Sequence, residues 1–229
     1  MSFHPFSRDH FAALAIGAVV MTALLVAGRR GGSARTVATA LLVFFNLSAF
    51  PFNQAAWLSL GKPLALENIL PLQLCDIAAL TAGFALITRN PTLSMLTYFW
   101  GLAATLQALL TPALTVGFPE WPFFTFFVHH FAIVTTAVYL PVAGIWRPMR
   151  PLWKSPLIAN AWSLGYLVIA MTANMLLGTN FGFISHPPVN PSIIDCLGPW
   201  PWYLASMEGI AIIFFLLLVL PFYKWRDEG

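Results

Sequence analysis

The chain has 229 residues, of which 59% are hydrophobic, 15% aromatic and only 8% charged, and its mean hydropathy is +0.79. Water-soluble domains carry about 25% charged residues, so this composition excludes an ordinary soluble protein and indicates a polytopic membrane protein. The formal net charge of +3 comes without the clustered basic face of a nucleic-acid-binding protein, and we expect no nucleic-acid partner.

Seven apolar runs are long enough to cross a hydrocarbon core about 30 Å thick as helices. They lie near residues 11–28, 36–60, 68–88, 92–116, 122–146, 156–178 and 199–223. Arg29, Arg30 and further apolar runs follow the first one, so we expect a retained span and not a cleaved signal peptide. The predicted fold is all-α, a single seven-helix transmembrane domain over residues 1–229, without a transporter-like repeat.

The Lys and Arg residues predict an orientation in the membrane. Nine lie on one set of alternate connectors, and Arg8 and Lys62 lie on the other set. The nine are Arg29, Arg30, Arg35, Arg89, Arg147, Arg150, Lys154, Lys224 and Arg226. By the positive-inside rule, the N-terminus is outside and the C-terminus is cytoplasmic.

The third apolar run contains the sequence NILPLQLCDIAAL at residues 68–80, which carries Gln73, Cys75 and Asp76 into the membrane. A charge in hydrocarbon costs several kcal/mol, so such residues usually face a cavity or a partner. Counted as a continuous helix from Asn68, the thiol and the carboxylate lie about 10 to 12 Å below the outer boundary. Gln73 and Asp76 would share a helix face, and Cys75 would point about 100° away from Asp76.

Four other runs carry polar residues to the same half of the membrane. They are Gln107 in the fourth, His129 and His130 in the fifth, Asn174 below Asn180 in the sixth, and Glu208 in the seventh. Amide side chains such as Gln107, Asn174 and Asn46 often only join helices by hydrogen bonds. Ionisable groups are more often functional. His4, His10 and His186 lie in a terminus or a connector, and we expect them to be solvated.

A cysteine, an imidazole and a carboxylate at one depth suggest nucleophilic chemistry. An imidazole can act as base for Cys75, and Asp76 or Glu208 can orient the imidazole. Two alternatives stay open: Cys75 as a packing residue, or a disulfide between Cys75 and Cys196. The spacing of His and Cys offers no zinc site, and phosphate-loop and dinucleotide motifs are missing, so we expect neither a metal nor another cofactor.

Three long segments resemble the YwaF-like bacterial membrane family, which is related to the transmembrane protein 164 family. They are LPLQLCDIAAL at 70–80, YFWGLAATLQALLTP at 98–112 and DCLGPWPWYLASMEG at 195–209. The shorter segments FFVHHFAIV at 126–134 and LGTNFGF at 177–183 are also similar to family signatures. The resemblance covers the third to seventh runs, and Gln73 stands where the family commonly has histidine.

The resemblance implies membrane-embedded acyl transfer that remodels phospholipids, with Cys75 as nucleophile and His130 as base. Gln73, Asp76, Gln107, His129, Asn174, Asn180 and Glu208 are then candidates for binding the substrate, and membrane lipid is the expected partner. Two other functions stay open. One is a transporter or channel with a polar site near the outer face, and the other is a non-catalytic protein that binds a lipid or small ligand.

Overall fold

The computed structural model describes residues 2–61 and 64–224. Seven helical segments in these ranges are long and apolar enough to cross a membrane, which confirms the predicted all-helical membrane fold. Numbered first to seventh, the spans are Arg8–Arg30, Gly32–Leu58, Leu66–Thr88, Pro91–Leu110, Trp121–Val142, Lys154–Leu177 and Trp202–Phe222. Lys62 and Arg226, two of the residues used to predict the orientation, lie outside the described residues.

Local sequence signals set several span ends. The Ser7 side chain caps the first span by accepting a hydrogen bond from the His10 N–H. Asn90 caps the fourth span in the same way, and Pro91 occupies the first helical position, where its missing N–H costs nothing. The fourth span ends at Leu110, six residues before its predicted end. Pro112 follows and excludes Thr111 from helical geometry, so Thr111 adopts φ −129° and ψ 74°.

The connectors pack on alternate ends of the bundle, as seven spans require. At the end that carries the N-terminus, here the N-terminal face, the Phe3 N–H donates to the Thr115 carbonyl at 3.3 Å. The Asn190 side chain of the connector between the sixth and seventh spans donates to the Leu114 carbonyl on this face at 2.7 Å. That connector contains two short 3₁₀ turns, Phe181–Phe183 and Ile193–Cys196.

The opposite end of the bundle, the C-terminal face, carries the basic connectors. The Arg35 guanidinium donates to the Ala143 carbonyl at 2.7 Å, and the Tyr98 hydroxyl donates to the Leu218 carbonyl at 2.8 Å. The helix of the seventh span runs from Trp202 to Leu218 and continues as a 3₁₀ turn, Leu220–Phe222. Aromatic side chains of four segments, among them Phe99, Trp146 and Phe215, form the apolar core near this face.

The fifth span is the centre of the bundle, because most of its residues are buried while the first, sixth and seventh spans are mostly exposed. Three glycines, Gly17, Gly28 and Gly101, allow close approach to it. A Cβ at Gly28 would lie 2.4 Å from the Tyr139 ring, and a Cβ at Gly101 would lie 2.8 Å from the Ala137 Cβ. Gly101 begins a π-helical segment, Gly101–Thr105, in the middle of the fourth span. Such segments interrupt helices frequently at functional sites.

The third span is broken within its length, which the sequence did not predict. A short helix, Leu66–Ile69, is followed by extended residues and then by the helix Leu74–Thr88. Pro71 cannot donate a hydrogen bond and holds Leu70 in an extended conformation, φ −101° and ψ 130°. The predicted depth of Cys75 assumed a continuous helix and is therefore wrong in its geometry, as is the shared helix face of Gln73 and Asp76.

Neighbouring segments satisfy the polar groups that the break leaves open. The Tyr166 hydroxyl of the sixth span donates to the Leu72 carbonyl at 3.1 Å. The Gly182 N–H donates to Gln73 Oε1 at 2.9 Å, and Gln54 Nε2 donates to the Asn68 carbonyl at 3.0 Å. Irregular backbone at membrane depth is stable only when protein groups take the place of water, as they do here for the Asn68 and Leu72 carbonyls.

Candidate functional site

The break in the third span places Cys75 in the first turn of a helix that begins inside the bundle. Cys75 is half-buried and Asp76 is buried. The Asp76 carboxylate turns back to the backbone N–H of Gln73, the residue that precedes the helix. Asp76 is thus a capping residue of its own helix.

Two other N–H groups of this first turn are hydrogen-bonded to the residue that precedes the helix, and a third lies near a tyrosine hydroxyl. Asp76 and Ile77 donate to the Gln73 carbonyl at 3.0 and 3.2 Å, and the Leu74 N–H lies beside the Tyr166 hydroxyl oxygen. The Cys75 N–H makes no hydrogen bond with any described residue. One unpaired backbone donor therefore belongs to the same residue as the candidate nucleophile.

Both histidines of the fifth span are buried close to this turn, and their partners fix their tautomers. His129 Nε2–H donates to the Cys75 carbonyl at 3.2 Å, and His130 Nδ1–H donates to the Phe126 carbonyl at 2.7 Å. Because a carbonyl only accepts, the neutral rings keep their lone pairs on His129 Nδ1 and His130 Nε2. Stacking on the Phe126 ring, with centroids 4.0 Å apart, further holds the His130 ring.

The fourth span adds Thr105, which sequence reasoning missed. Its side chain is fully buried and its hydroxyl lies beside the Cys75 thiol. The hydroxyl oxygen has no well-formed hydrogen bond within the described ranges. A buried, unpaired hydroxyl costs about 1 to 3 kcal/mol, so it calls for an explanation.

Helical register relates Thr105 to the two histidines. Gly101 packs against Ile133 and Ala137 of the fifth span. The fourth and fifth spans are antiparallel, so one helical turn toward the N-terminal face leads from Gly101 to Thr105 and from Ile133 to His129 and His130. The thiol, the Thr105 hydroxyl and the two imidazoles are therefore brought to one level, although no hydrogen bond between described residues joins either imidazole to the thiol.

The other residues of the candidate site fall into two groups. Gln107 is half-buried, two residues beyond Thr105, and its amide makes no hydrogen bond with the described residues. Gln73 instead uses its side-chain oxygen to hold the Gly182 backbone. Gln107 thus has free hydrogen-bonding capacity, whereas the Gln73 side chain stabilises the break in the third span.

Asn174 and Asn180 are saturated by the connector that follows the sixth span. Asn174 Oδ1 accepts from the Phe181 N–H at 2.7 Å and from the Thr179 hydroxyl at 3.0 Å, while its Nδ2 donates to the Phe181 carbonyl at 3.1 Å. Asn180 Oδ1 accepts from the Ser185 and His186 N–H groups. These amides fold the connector, and they do not face the thiol.

Glu208 has a partner that the sequence did not suggest. Its Oε1 accepts a hydrogen bond from Asn160 Nδ2 of the sixth span. Asn160 lies near the C-terminal-face end of its span, so the pair is deeper in the bundle than the first turn of the helix that carries Cys75. A lone Asn in an apolar run gives no sign of its partner, because the contact is set by helix packing.

The structure also shows the environment of the three histidines that were expected to be solvated and of the second cysteine. His10 was expected to be solvated, and this is wrong: it is fully buried, accepts from the Phe6 N–H at Nδ1 and donates to the Leu109 carbonyl from Nε2. His4 and His186 are exposed, as expected. Cys75 and Cys196 are both free thiols, so the disulfide alternative is not formed in the structure. The described residues contain no cluster of three or more metal-binding side chains.

A comparison with protein families matches residues 5–219 of the chain to the TMEM164 family. Comparisons with curated proteins and with solved structures give no match. The family match includes the third, fourth and fifth spans, and with them every residue of the candidate site.

Proposed function

Because the chain belongs to the TMEM164 family of membrane proteins, we propose that it is a membrane-embedded enzyme that transfers or hydrolyses a lipid acyl group. The observation that carries the proposal is the position of Cys75. Cys75 is half-buried and lies at the same level as His129, His130 and Thr105, which are buried. A thiol with imidazole bases at the same level is an arrangement that suits acyl transfer.

The proposed reaction has two steps. His130 Nε2 takes the proton of the Cys75 thiol as the sulfur attacks the carbonyl carbon of a lipid ester. The tetrahedral intermediate collapses, the C–O bond to the alcohol of the lipid breaks, and the proton moves from His130 to that oxygen. An acceptor hydroxyl or water then attacks the thioester, loses its proton to His130, and releases Cys75 with its proton restored.

The tautomers support this division of roles between the two histidines. His130 Nδ1–H is held by the Phe126 carbonyl, so the lone pair on Nε2 is free to accept a proton. His129 donates to the Cys75 carbonyl and fixes the third span against the fifth. We therefore assign His130 as the base and His129 as a positioning residue.

Of the predicted substrate-binding residues, we propose this role only for those whose side chains have free hydrogen-bonding capacity. Gln107 lies beyond Thr105 and is available for the polar part of a lipid. Asn174, Asn180 and Glu208 are engaged in other hydrogen bonds, and Asp76 caps its helix. A lipid can bring its ester to Cys75 from the side without leaving the membrane, which is a reason for an enzyme of this kind to be embedded.

The proposal includes a location. The basic residues on the connectors of the C-terminal face favour a cytoplasmic position for that face by the positive-inside rule. Cys75 lies nearer to the N-terminal face, so the reaction takes place in the outer half of the membrane, which we take to be a bacterial cytoplasmic membrane.

The test is a search for the acyl-enzyme. Purified protein in nanodiscs is incubated with a phospholipid that carries an isotope-labelled acyl chain, and peptides are analysed for a hydroxylamine-sensitive acyl group. We expect the label on Cys75 and its loss in Cys75→Ala. Cys196→Ala is the matched control, because Cys196 is also a free thiol but is exposed on the connector, and it should keep the label. Absence of a labelled thioester in the wild-type protein would refute the proposal.

A further inference from the structure

Thr105 differs from several other threonines of the spans in how its hydroxyl is used. The hydroxyls of Thr22, Thr97 and Thr172 each donate to the carbonyl four residues earlier, at 2.8 Å. This internal bond is the usual way to satisfy a threonine in an apolar helix. The Thr105 hydroxyl makes no such bond, although the residue is completely buried.

The unpaired hydroxyl lies at the end of the π-helical segment. The carbonyl four residues before Thr105 belongs to Gly101, and it accepts from the N–H of Leu106, five residues on. The wider turn ends at Thr105 and leaves its hydroxyl directed to the third span, beside the Cys75 thiol. An interrupted helix is thus associated with an unpaired donor at the candidate nucleophile.

A second unpaired donor lies at the same place. The Cys75 N–H belongs to the first turn of its helix and makes no hydrogen bond in the described ranges, and helix N-termini favour negative charge. Two independent donors, one from the backbone of the third span and one from a side chain of the fourth, therefore adjoin one sulfur atom. When a substrate carbon is bonded to that sulfur, both donors can reach an anionic oxygen on this carbon.

We propose that the Cys75 N–H and the Thr105 hydroxyl form the oxyanion hole of the site, an inference that rests on the proposed acyl transfer. When the sulfur forms its bond to the ester carbon, the π electrons of the carbonyl move to its oxygen, and the two donors stabilise the negative charge. The charge returns to the carbonyl as the lipid alcohol leaves. Preorganised donors of this kind are effective because they are buried before the reaction begins.

The test separates acylation from simple alkylation of the same thiol. The Cys196→Ala protein in nanodiscs, which keeps Cys75 as its one thiol, reacts either with p-nitrophenyl laurate, which passes through an oxyanion, or with iodoacetamide, which does not, and intact mass gives both rates at Cys75. We expect Thr105→Val to slow acylation by about 10²- to 10³-fold and to change alkylation by less than about threefold. Thr105→Ser keeps the hydroxyl and should restore acylation to within about tenfold of the wild type.

Controls and contrary outcomes are built into the same measurement. Thr97→Val is the matched control, because Thr97 is equally buried in the same span but donates to the Leu93 carbonyl, and it should acylate like the wild type. Thr105→Ala provides a second hydroxyl-free variant if the valine protein does not fold. Equal slowing of both reactions, or wild-type acylation in a folded hydroxyl-free variant, would overturn the oxyanion hole alone. Failure of the wild-type protein to acylate Cys75 would overturn the acyl-transfer function and the oxyanion hole with it.

Discussion

Two regions toward the N-terminal face contain similar polar side chains, yet they use their hydrogen-bonding atoms very differently. In the connector after the sixth span, Asn174 has both its amide oxygen and its amide nitrogen bonded within the protein. At the junction of the third, fourth and fifth spans, the Thr105 hydroxyl is unpaired and each imidazole has one described partner. In the first region the amide groups of Asn174 are hydrogen-bonded within the protein. In the second region a hydroxyl donor and the imidazole lone pairs have no described partner and can bind a ligand.

The difference gives a rule for reading polar residues in this bundle. A saturated group stabilises the fold, and its loss should lower the free energy of unfolding. A group with free capacity costs stability in the empty protein and contributes when a substrate supplies the missing partner. Substitutions in the two regions should therefore separate stability from reactivity.

The largest effect on acylation, after loss of Cys75 itself, is expected for His130→Gln. This change removes the lone pair that accepts the thiol proton, and general-base catalysis contributes about 10²- to 10⁴-fold. The acylation rate of Cys75 by a lipid ester, measured by intact mass, should fall by that factor. Thermal unfolding of the variant serves as the control. An acylation rate within about threefold of the wild type would show that His130 is not the base.

A smaller effect is expected for His129→Gln. His129 holds the Cys75 backbone against the fifth span, so its loss should displace the thiol and slow acylation by about tenfold. Because the thiol itself moves, iodoacetamide alkylation should change as well, unlike in the Thr105 variants. A loss of acylation as large as in His130→Gln, with alkylation unchanged, would instead make His129 the base and reverse the two assignments.

The smallest effect on acylation is expected for Asn174→Ala, in the saturated region. The change removes three hydrogen bonds and leaves the buried Phe181 backbone unpaired, so the free energy of unfolding should fall by about 2 to 4 kcal/mol. Per folded molecule, Cys75 should be acylated within about twofold of the wild-type rate. Denaturant unfolding in mild detergent gives the first quantity. If Asn174→Ala strongly slowed acylation without lowering the free energy of unfolding, the claim that the connector region serves stability and not reactivity would be wrong.

Much of the fold could be predicted from the sequence. The number of spans follows from the length of the apolar runs, and their ends follow from signals such as Asn90 with Pro91. The break at Pro71 was within reach of the same reasoning, since proline removes a helix donor. It was missed because a proline in a membrane span often only bends the helix. His10 was misjudged because a position near the N-terminus does not show that the terminal segment folds onto the Thr115 backbone.

The candidate site could be predicted only in part. Cys75, His129 and His130 stand out because thiols and imidazoles are rare in lipid-exposed runs. Thr105 gives no such signal, since most threonines in membrane helices bond to their own backbone, whereas the Thr105 hydroxyl, at the end of the π-helical segment, does not. The sequence does not indicate the role of Asn160 either, because its contact with Glu208 depends on how two peripheral helices pack.

The sequence by itself determined that this chain crosses the membrane seven times, and which residue types reach its interior. These properties follow from the local cost of placing charge and free backbone in hydrocarbon. The tertiary structure decided which polar atoms are satisfied, because the partners come from distant parts of the chain. His129 meets Cys75 across 54 residues and Gly182 meets Gln73 across 109. Only this packing distinguishes a capping Asp76 and a saturated Asn174 from the unpaired groups around the Cys75 thiol.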